Sequence, residues 1–221
     1  MPITMPVRTV SGRNVDETAP LRCACYAALS ELTASPHDLD PRPTLREKIG
    51  IAANLPYGGE LDELLAEFVD TELDQLKKEY SGLFEVGSGG PPVPIREDLQ
   101  TGQRAGTREE LVRFYNYFHY ALEEKFAWAP DHLSVQLEFV HFLCFQEASA
   151  GSEALSYQLA ELDFTERHLI KWAPKLAKSV ESIAPGSLYA RIMRTLSEFL
   201  ANDVAWQNGT VSATGKEGNH E

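Results

Sequence analysis

Glu138-Phe139-Val140-His141 sets a carboxylate and an imidazole three residues apart, and on a helix positions i and i+3 share a face. Such a step can hold half of a di-metal centre, but a di-metal bundle needs two E-x-x-H helices and two further carboxylates. No second step exists, because Thr165 stands three residues before His168 and Asn116 three before His119. A helix residue solvating its neighbours is the better reading. Cys23-Ala24-Cys25, with His141 and Cys144, could offer thiolate and imidazole ligands. A C-x-C pair without a second pair at zinc spacing falls short of a site, and core thiols on helices explain these residues better. The chain has no phosphate-cradling or nucleophile-elbow motif and no His-Glu-x-x-His. Gly87-Ser88-Gly89-Gly90 runs into prolines, without the Lys and helix start that phosphate binding requires. Pro130-Asp131-His132 keeps two readings. One is a plain helix start, with Asp131 as N-cap and His132 exposed. The other is an anionic cap beside a switchable imidazole, next to Phe126 and Trp128, able to hold a cationic peptide.

The elements that must position these residues follow from period and punctuation. Residues 1–16 are polar and aperiodic, a flexible arm. Over residues 18–32, Leu21, Cys25, Ala28, Leu29 and Leu32 fall on one helical face. A short helix is predicted over 44–53, ending before Pro56. Residues 60–80 spell one amphipathic helix, with Leu61, Leu64, Leu65, Phe68, Leu73, Leu76 and Tyr80 mostly at three- and four-residue steps. Residues 86–106 form a long glycine- and proline-rich loop, expected to be a hinge between two helical halves. Thr107-Arg108-Glu109-Glu110 spells a capping box for a helix running to about Phe126, and Pro130-Asp131 opens the next. Later helices are predicted over 152–170, 173–182 and 187–205, followed by a disordered tail over 207–221. No strand alternation occurs. The expected fold is all-α, one globular bundle of roughly seven to nine helices over residues 17–206.

The formal charge of −13 and pI near 4.9 argue against a nucleic-acid binder, which clusters Lys and Arg. They suit a basic partner, although acidity also serves solubility alone. Three cysteines inside apolar segments fit reduced thiols of the cytosol. Residues 1–20 show neither an apolar signal core nor an Arg-Arg pair, and no apolar run reaches the roughly 20 residues of a membrane span. A cytoplasmic protein without stable membrane insertion is therefore expected.

Several separated segments, in the right order, resemble the redox-enzyme maturation chaperones. That family includes the chaperones of trimethylamine-N-oxide and dimethyl-sulfoxide reductases and the delta subunit of nitrate reductase. Ala129-Pro130-Asp131-His132-Leu133 through Val140 is similar to the family's E-P-D-H signature. Leu76, Tyr80, Leu83 and Phe84 match its L-x-x-x-Y-x-x-L-F; Pro94-Ile95-Arg96-Glu97 resembles its P-Y-E-S. Phe164, His168-Leu169 and Trp172 match a downstream motif, and Arg22, Tyr26 and Leu29-Ser30 its opening helix. The chain departs from the pattern at Ala129 and Gln136, where the family favours Glu, and at Ile95, where it favours an aromatic residue. The segments 55–60 and 114–119 look most like chaperones of type II enzymes: ethylbenzene and dimethylsulfide dehydrogenases, selenate and chlorate reductases.

The resemblance implies a TorD-like helical bundle and no catalytic role. It implies binding of the twin-arginine signal peptide and the immature catalytic alpha subunit of a molybdenum enzyme. It further implies assistance with insertion of the molybdenum bis-guanine-dinucleotide cofactor into that client, no cofactor being held permanently, and delay of export. The peptide site it points to comprises Pro130, Asp131, His132, Glu138, Leu76, Tyr80, Phe84, Arg96 and Glu97. The leader's apolar segment would lie against Leu76, Tyr80 and Phe84, and its arginines would meet Asp131, supported by Glu97 or Glu138. Two rivals are a metal-binding helical enzyme and a permanent structural subunit of a redox complex.

Overall fold

The computed structural model describes residues 13–217 apart from 86, 88, 103–105 and 123–128, with side chains as far as residue 211. Among the described residues the chain is helical, with no β-strand and an isolated antiparallel bridge between Arg96 and His132. The α-helical segments are α1 (Val15–Thr33), α2 (Arg42–Arg46), α3 (Leu61–Asp70), α4 (Leu73–Tyr80) and α5 (Glu97–Thr101). They continue with α6 (Thr107–Tyr117), α7 (Leu133–Ser149), α8 (Ala154–Phe164), α9 (Ile170–Ile183) and α10 (Leu188–Glu217). A π turn, Thr165–Leu169, joins α8 to α9 as one rod. The described segments thus make nine helices, within the range the periodicity predicts.

The centre of the bundle is α7 packed antiparallel on α1. Ser30 bonds the carbonyl of Ser134, Cys23 meets His141, and Arg22 meets Glu147, so one sequence ascends as the other descends. This helix is apolar nearly all round, as a helix buried on several sides must be. Its Phe139 lies 4.8 Å from Tyr115, 4.7 Å from Phe164 and 5.3 Å from Tyr120 between ring centroids. Edge-to-face contacts of this kind add about 0.5–1.5 kcal/mol each beyond burial. Trp172 is wholly buried against the same layer.

Several elements differ from expectation. The helix predicted over 60–80 is two helices, broken at Thr71-Glu72, both extended in backbone. Thr71 ends α3 with its N–H and hydroxyl both turned onto the Glu67 carbonyl, and Arg42 takes the Thr71 carbonyl at 3.2 Å. The helix predicted over 44–53 is α2 followed by a 3-10 turn, Ala52–Asn54, because Asp62 caps the backbone N–H groups of Gly50, Ala52 and Ala53. The capping box at Thr107 does not form. Gly106, at φ 95°, occupies the cap position without a side-chain bond. Helix α6 stops at Tyr117 rather than near Phe126; His119 turns into a left-handed conformation, and Tyr120 folds back to bond the Tyr115 carbonyl and join the Phe139 cluster.

Towards the C-terminus, residues 170–173 are helical throughout. Residues 207–217, expected as a disordered tail, continue α10; Gln207 bonds Asp203, Thr210 bonds the Trp206 carbonyl, and Val211 is buried. At the other end, the arm expected over 1–16 gives way to α1 at Val15, and Arg13 is already buried.

The connection expected to be a free hinge is tied down. The Val93 N–H bonds Leu83 O at 2.9 Å, the Glu97 N–H bonds Asp131 O at 3.0 Å, and the Leu133 N–H bonds Ile95 O at 3.2 Å. Val93 and Ile95, apolar residues on either side of Pro94, are buried in the core, which is why this stretch packs as a strap.

Candidate functional site

The strap, the start of α7 and the end of α4 meet at a cleft of about 160 Å³. Tyr80 and Phe84 form its floor, Pro94, Ile95 and Arg96 one wall, and His132 and Ser134 the other. Four of the nine residues expected in the peptide site therefore converge here: Tyr80, Phe84, Arg96 and His132. Tyr80 and Phe84 come from one turn and its π extension, Ser81–Glu85, so both rings share a face, 5.0 Å apart; both are core residues, 1% and 4% exposed, and show the cleft only their edges.

His132, not Asp131, is the N-cap of α7. Its backbone is extended, and its Nδ1 accepts from the Ser134 N–H at 3.3 Å. That bond fixes the proton on Nε2, which faces the Tyr80 oxygen at 3.5 Å. Burial pushes the imidazole down to about 4; Asp131 opposes that shift and Arg96 adds to it. At neutral pH His132 is thus an uncharged N–H donor, and its switching range lies well below the one a free imidazole would offer. Phe126 and Trp128, expected beside it, lie outside the described residues.

Asp131 is wholly buried behind the cleft. Its carboxylate accepts from Arg96 at 3.0 Å, approaches Arg108 of α6 at 3.5 Å, and caps the Asp98 N–H at the start of α5. Burial alone would raise this carboxyl. Hydrogen bonds from Asp98 and Arg96 outweigh it, so the group lies below the ordinary carboxylate range. Asp98 moves the other way, to about 6, through its own burial and the Asp131 charge. Asp131 is thus an internal tie between the strap, α6 and α7, with its acceptors in use; an incoming arginine would have to displace Arg96 or Arg108.

Glu97 is buried too and faces away from the cleft. His168 Nδ1 lies 3.0 Å from its carboxylate, Gln136 donates to it at 2.6 Å, and Trp172 donates to Gln136 at 3.2 Å. The Arg96-Glu97 and His168/Trp172 motifs are therefore two halves of one clamp that holds α5 against α7 and α9. Leu76 is fully inside the core. Pro130 is buried, and its carbonyl accepts from Tyr115 at 2.8 Å.

Glu138 is exposed and borders a second cleft of about 260 Å³ that shares Ala34, Ser35, Asp38 and Ser134 with the first. The two form one groove along α1 and α7, apolar at Tyr80 and Phe84 and acidic at Asp38 and Glu138, while Glu31 on its border is held by Lys48 and Thr44. Sequence reading missed the contribution of Ser35 and Asp38, which stand in the turn after α1, where no periodicity marks them.

His141 does not pair with Glu138 around an ion. Its Nδ1 lies 2.9 Å from the Cys23 carbonyl oxygen, a contact only an N–H can satisfy. The thiols are unbonded to one another, and burial pushes Cys23 up to about 11 and Cys25 to about 12. Protonated thiols are poor nucleophiles and metal ligands. Among the described residues no three His, Cys, Asp or Glu side chains are grouped to hold a metal ion, and no helix is long and apolar enough to cross a membrane.

A sequence profile described as the nitrate reductase delta subunit matches residues 52–178, which spans the floor of the cleft, the strap, His132 and the clamp. The chain belongs to this family. It is 37% identical over 132 residues to the chlorate reductase assembly chaperone protein of Ideonella dechloratans, covering 58% of this chain and 67% of that one. The selenate reductase assembly chaperone protein of Thauera selenatis is 36% identical over the same shares. The perchlorate reductase assembly chaperone protein of Dechloromonas aromatica (strain RCB) is 31% identical over 53% of this chain and 54% of its own. These relatives are named as chaperones and not as catalysts. A crystal structure of a redox enzyme maturation protein from Archaeoglobus fulgidus matches at a TM-score of 0.52 over 89% of this chain and 99% of that one. At 22% identity that likeness bears on the fold alone. It agrees with the all-helical bundle.

Proposed function

We propose that this member of the family is a cytoplasmic, system-specific chaperone for a molybdenum oxidoreductase. It binds the twin-arginine leader and the immature catalytic subunit, assists insertion of the molybdenum bis-guanine-dinucleotide cofactor, and delays export until the client has folded. The observation that carries the reading is the groove between α1 and α7, where family-motif residues Tyr80, Phe84, Arg96 and His132 line one end, Glu138 the other, and Asp38 both. A leader is amphipathic in the same sense: an apolar stretch beside arginines. Aromatic rings in a cleft suit the former, and carboxylates suit the planar donors of the latter. Asp131 and Glu97 act behind this surface, positioning its walls. The assembly role of the chlorate and selenate reductase chaperones supports a client of the type II kind.

The test begins with co-purification of the tagged chain from its native host and identification of the bound subunit. A synthetic leader of that subunit is then titrated calorimetrically against the parent and His132→Asn, which keeps the cap but alters the cleft wall. Affinity should fall roughly tenfold while the melting temperature moves by only about 2–4 °C, the shift expected for about 1 kcal/mol in a chain of this size. Unchanged affinity would remove the cleft from the reading. Fractionation separates a chaperone, absent from the exported enzyme, from a permanent subunit.

A further inference from the structure

At the far end of α7 the chain buries five charged side chains together, each with no exposed surface: Arg13, Arg22, Glu147, Glu161 and Asp203. One half of this cluster is saturated. Arg22 grips Asp203 at two points, Nε to Oδ1 at 2.8 Å and Nη2 to Oδ2 at 3.0 Å. Tyr26, Tyr57 and Gln207 also donate to Asp203, and Arg22 Nη1 reaches Glu161 at 2.5 Å and Glu147 at 3.2 Å.

The other half is not. Arg13, two residues ahead of α1, uses only Nη2, at 2.7 Å from Glu147 and 3.3 Å from Glu161. Its Nε and Nη1 are buried without a hydrogen-bond partner, and so is Oε1 of both Glu147 and Glu161. Unpaired buried polar atoms are rare. Here two donors and two acceptors are unmatched in one enclosed site, so the occupant fits its receptor poorly. The charge count points the same way. Two guanidinium groups face three carboxylates, and since Arg22 matches Asp203, the surplus falls on Glu147 and Glu161. Burial pushes the Glu161 carboxyl up to about 7 against the pull of Arg22, with Glu147 adding to the rise.

The half-buried Trp206 ring lies 4.8 Å from the Arg13 guanidinium and 5.3 Å from that of Arg22. An indole face beside two carboxylates is the environment a guanidinium selects over an ammonium, by stacking and by its five-donor planar fork. A freely presented arginine can meet both carboxylates with paired donors, which Arg13, tethered close to the start of α1, does not do.

We propose that Glu147, Glu161 and the Trp206 ring form a receptor for an arginine side chain, that the chain fills it with its own Arg13, and that an arginine of a basic client polypeptide takes the site when Arg13 leaves. The receptor lies at the opposite end of α7 from His132; fourteen residues separate Leu133 from Glu147, about 21 Å of helix at 1.5 Å per residue. It is thus a second point of contact, independent of whether the cleft binds a leader.

Full-length Arg13→Ala tests this by chemical rescue. The variant should melt several degrees below the parent, and methylguanidine at about 10 mM should restore at least half of that loss by mass action. Methylammonium at the same concentration should not, and the parent should respond to neither. Nα-acetyl-arginine methylamide should bind Arg13→Ala roughly tenfold more tightly than it binds the parent, and adding Glu161→Gln should abolish the gain. A destabilised variant that methylguanidine does not rescue overturns the proposal and leaves Arg13 as a structural ion-pair partner. Equal responses of parent and variant also overturn it. If Arg13→Ala does not fold, Arg13→Lys keeps the charge without the fork; the same rescue is expected there, and its absence counts against the receptor equally.

Discussion

At the N-terminal end of α7, Asp131 is matched by Arg96, Arg108 and the Asp98 N–H, and a neutral His132 beside the cleft points its Nε2–H at the Tyr80 oxygen. At the C-terminal end, three carboxylates enclose two guanidiniums with no exposed charge at all and with acceptors left over. One helix therefore starts beside a carboxylate whose acceptors are in use at the edge of a cleft, and reaches its last turn in a cluster that is enclosed and under-satisfied. The contrast teaches that burial and satisfaction are separate properties. At the first end a partner meets the cleft wall, and only one that reaches Asp131 has to displace Arg96 or Arg108. The second can gain bonds only if an occupant is exchanged.

The largest effect is expected from Arg22→Ala. Removing the guanidinium leaves Asp203 without a counter-ion and Glu147 and Glu161 with Arg13 alone, which should cost about 3–5 kcal/mol in a urea unfolding titration. Leader affinity of the folded fraction should stay unchanged, because the cleft is at the other end of α7. A parallel loss of affinity would show that the two ends are coupled.

Stability against pH separates His132 from Glu161 next, because these two groups respond with opposite sign in overlapping windows. His132 is depressed to about 4, so its contribution is full above its unfolded pKa near 6.5 and is lost as pH falls towards 4. Glu161 is raised to about 7, so its contribution is full below its unfolded pKa near 4.5 and is lost as pH rises towards 7. Each effect is of order 3 kcal/mol at most, and in the parent they largely offset one another. Asp98, raised to about 6, acts in the Glu161 direction. Glu161→Gln should therefore gain stability as pH rises from 4 to 6.5, whereas His132→Asn should lose it between 4.5 and 7. Urea midpoints across that range check both slopes, and parallel slopes in the two variants would contradict the assignment.

The smallest effect is expected on the exposed rim. Glu138→Gln should leave stability within about 0.5 kcal/mol. It should weaken leader binding about threefold at low ionic strength and less at high, since a rim charge is screened by salt. An effect independent of salt would mean that Glu138 makes a buried contact in the complex.

Much of the N-terminal end was legible in advance. Pro130-Asp131-His132 announces a helix start by local chemistry alone, and the Leu76 to Phe84 segment announces an aromatic face by its spacing. Which residue caps was not legible, because Asp131 and His132 are both competent, and only the tertiary position of Arg96 draws the carboxylate away from the helix it precedes. The role of Glu97 was equally hidden: its partners Gln136 and His168 lie 39 and 71 residues further along the chain. The break at Thr71-Glu72 escaped periodicity because Leu73 and Leu76 continue the three- and four-residue steps across it.

The ionic cluster was invisible as a cluster, although one signal was present. Arg22 precedes Cys25, Tyr26 and Leu29 at three-, four- and seven-residue steps, Glu147 follows Val140, Leu143 and Cys144 in the same way, and Asp203 follows Leu196, Phe199 and Leu200. Each charge interrupts an apolar stripe, and a charge inside a stripe must be paired in the core.

By itself the sequence determined the helical class, most helix interiors, the family and the position of the cleft motifs, because these depend on period, local capping and ordered short segments. Tertiary structure alone decided which carboxylates face solvent and which are internal ties, because charge pairing is settled by helices that meet only after the chain has packed.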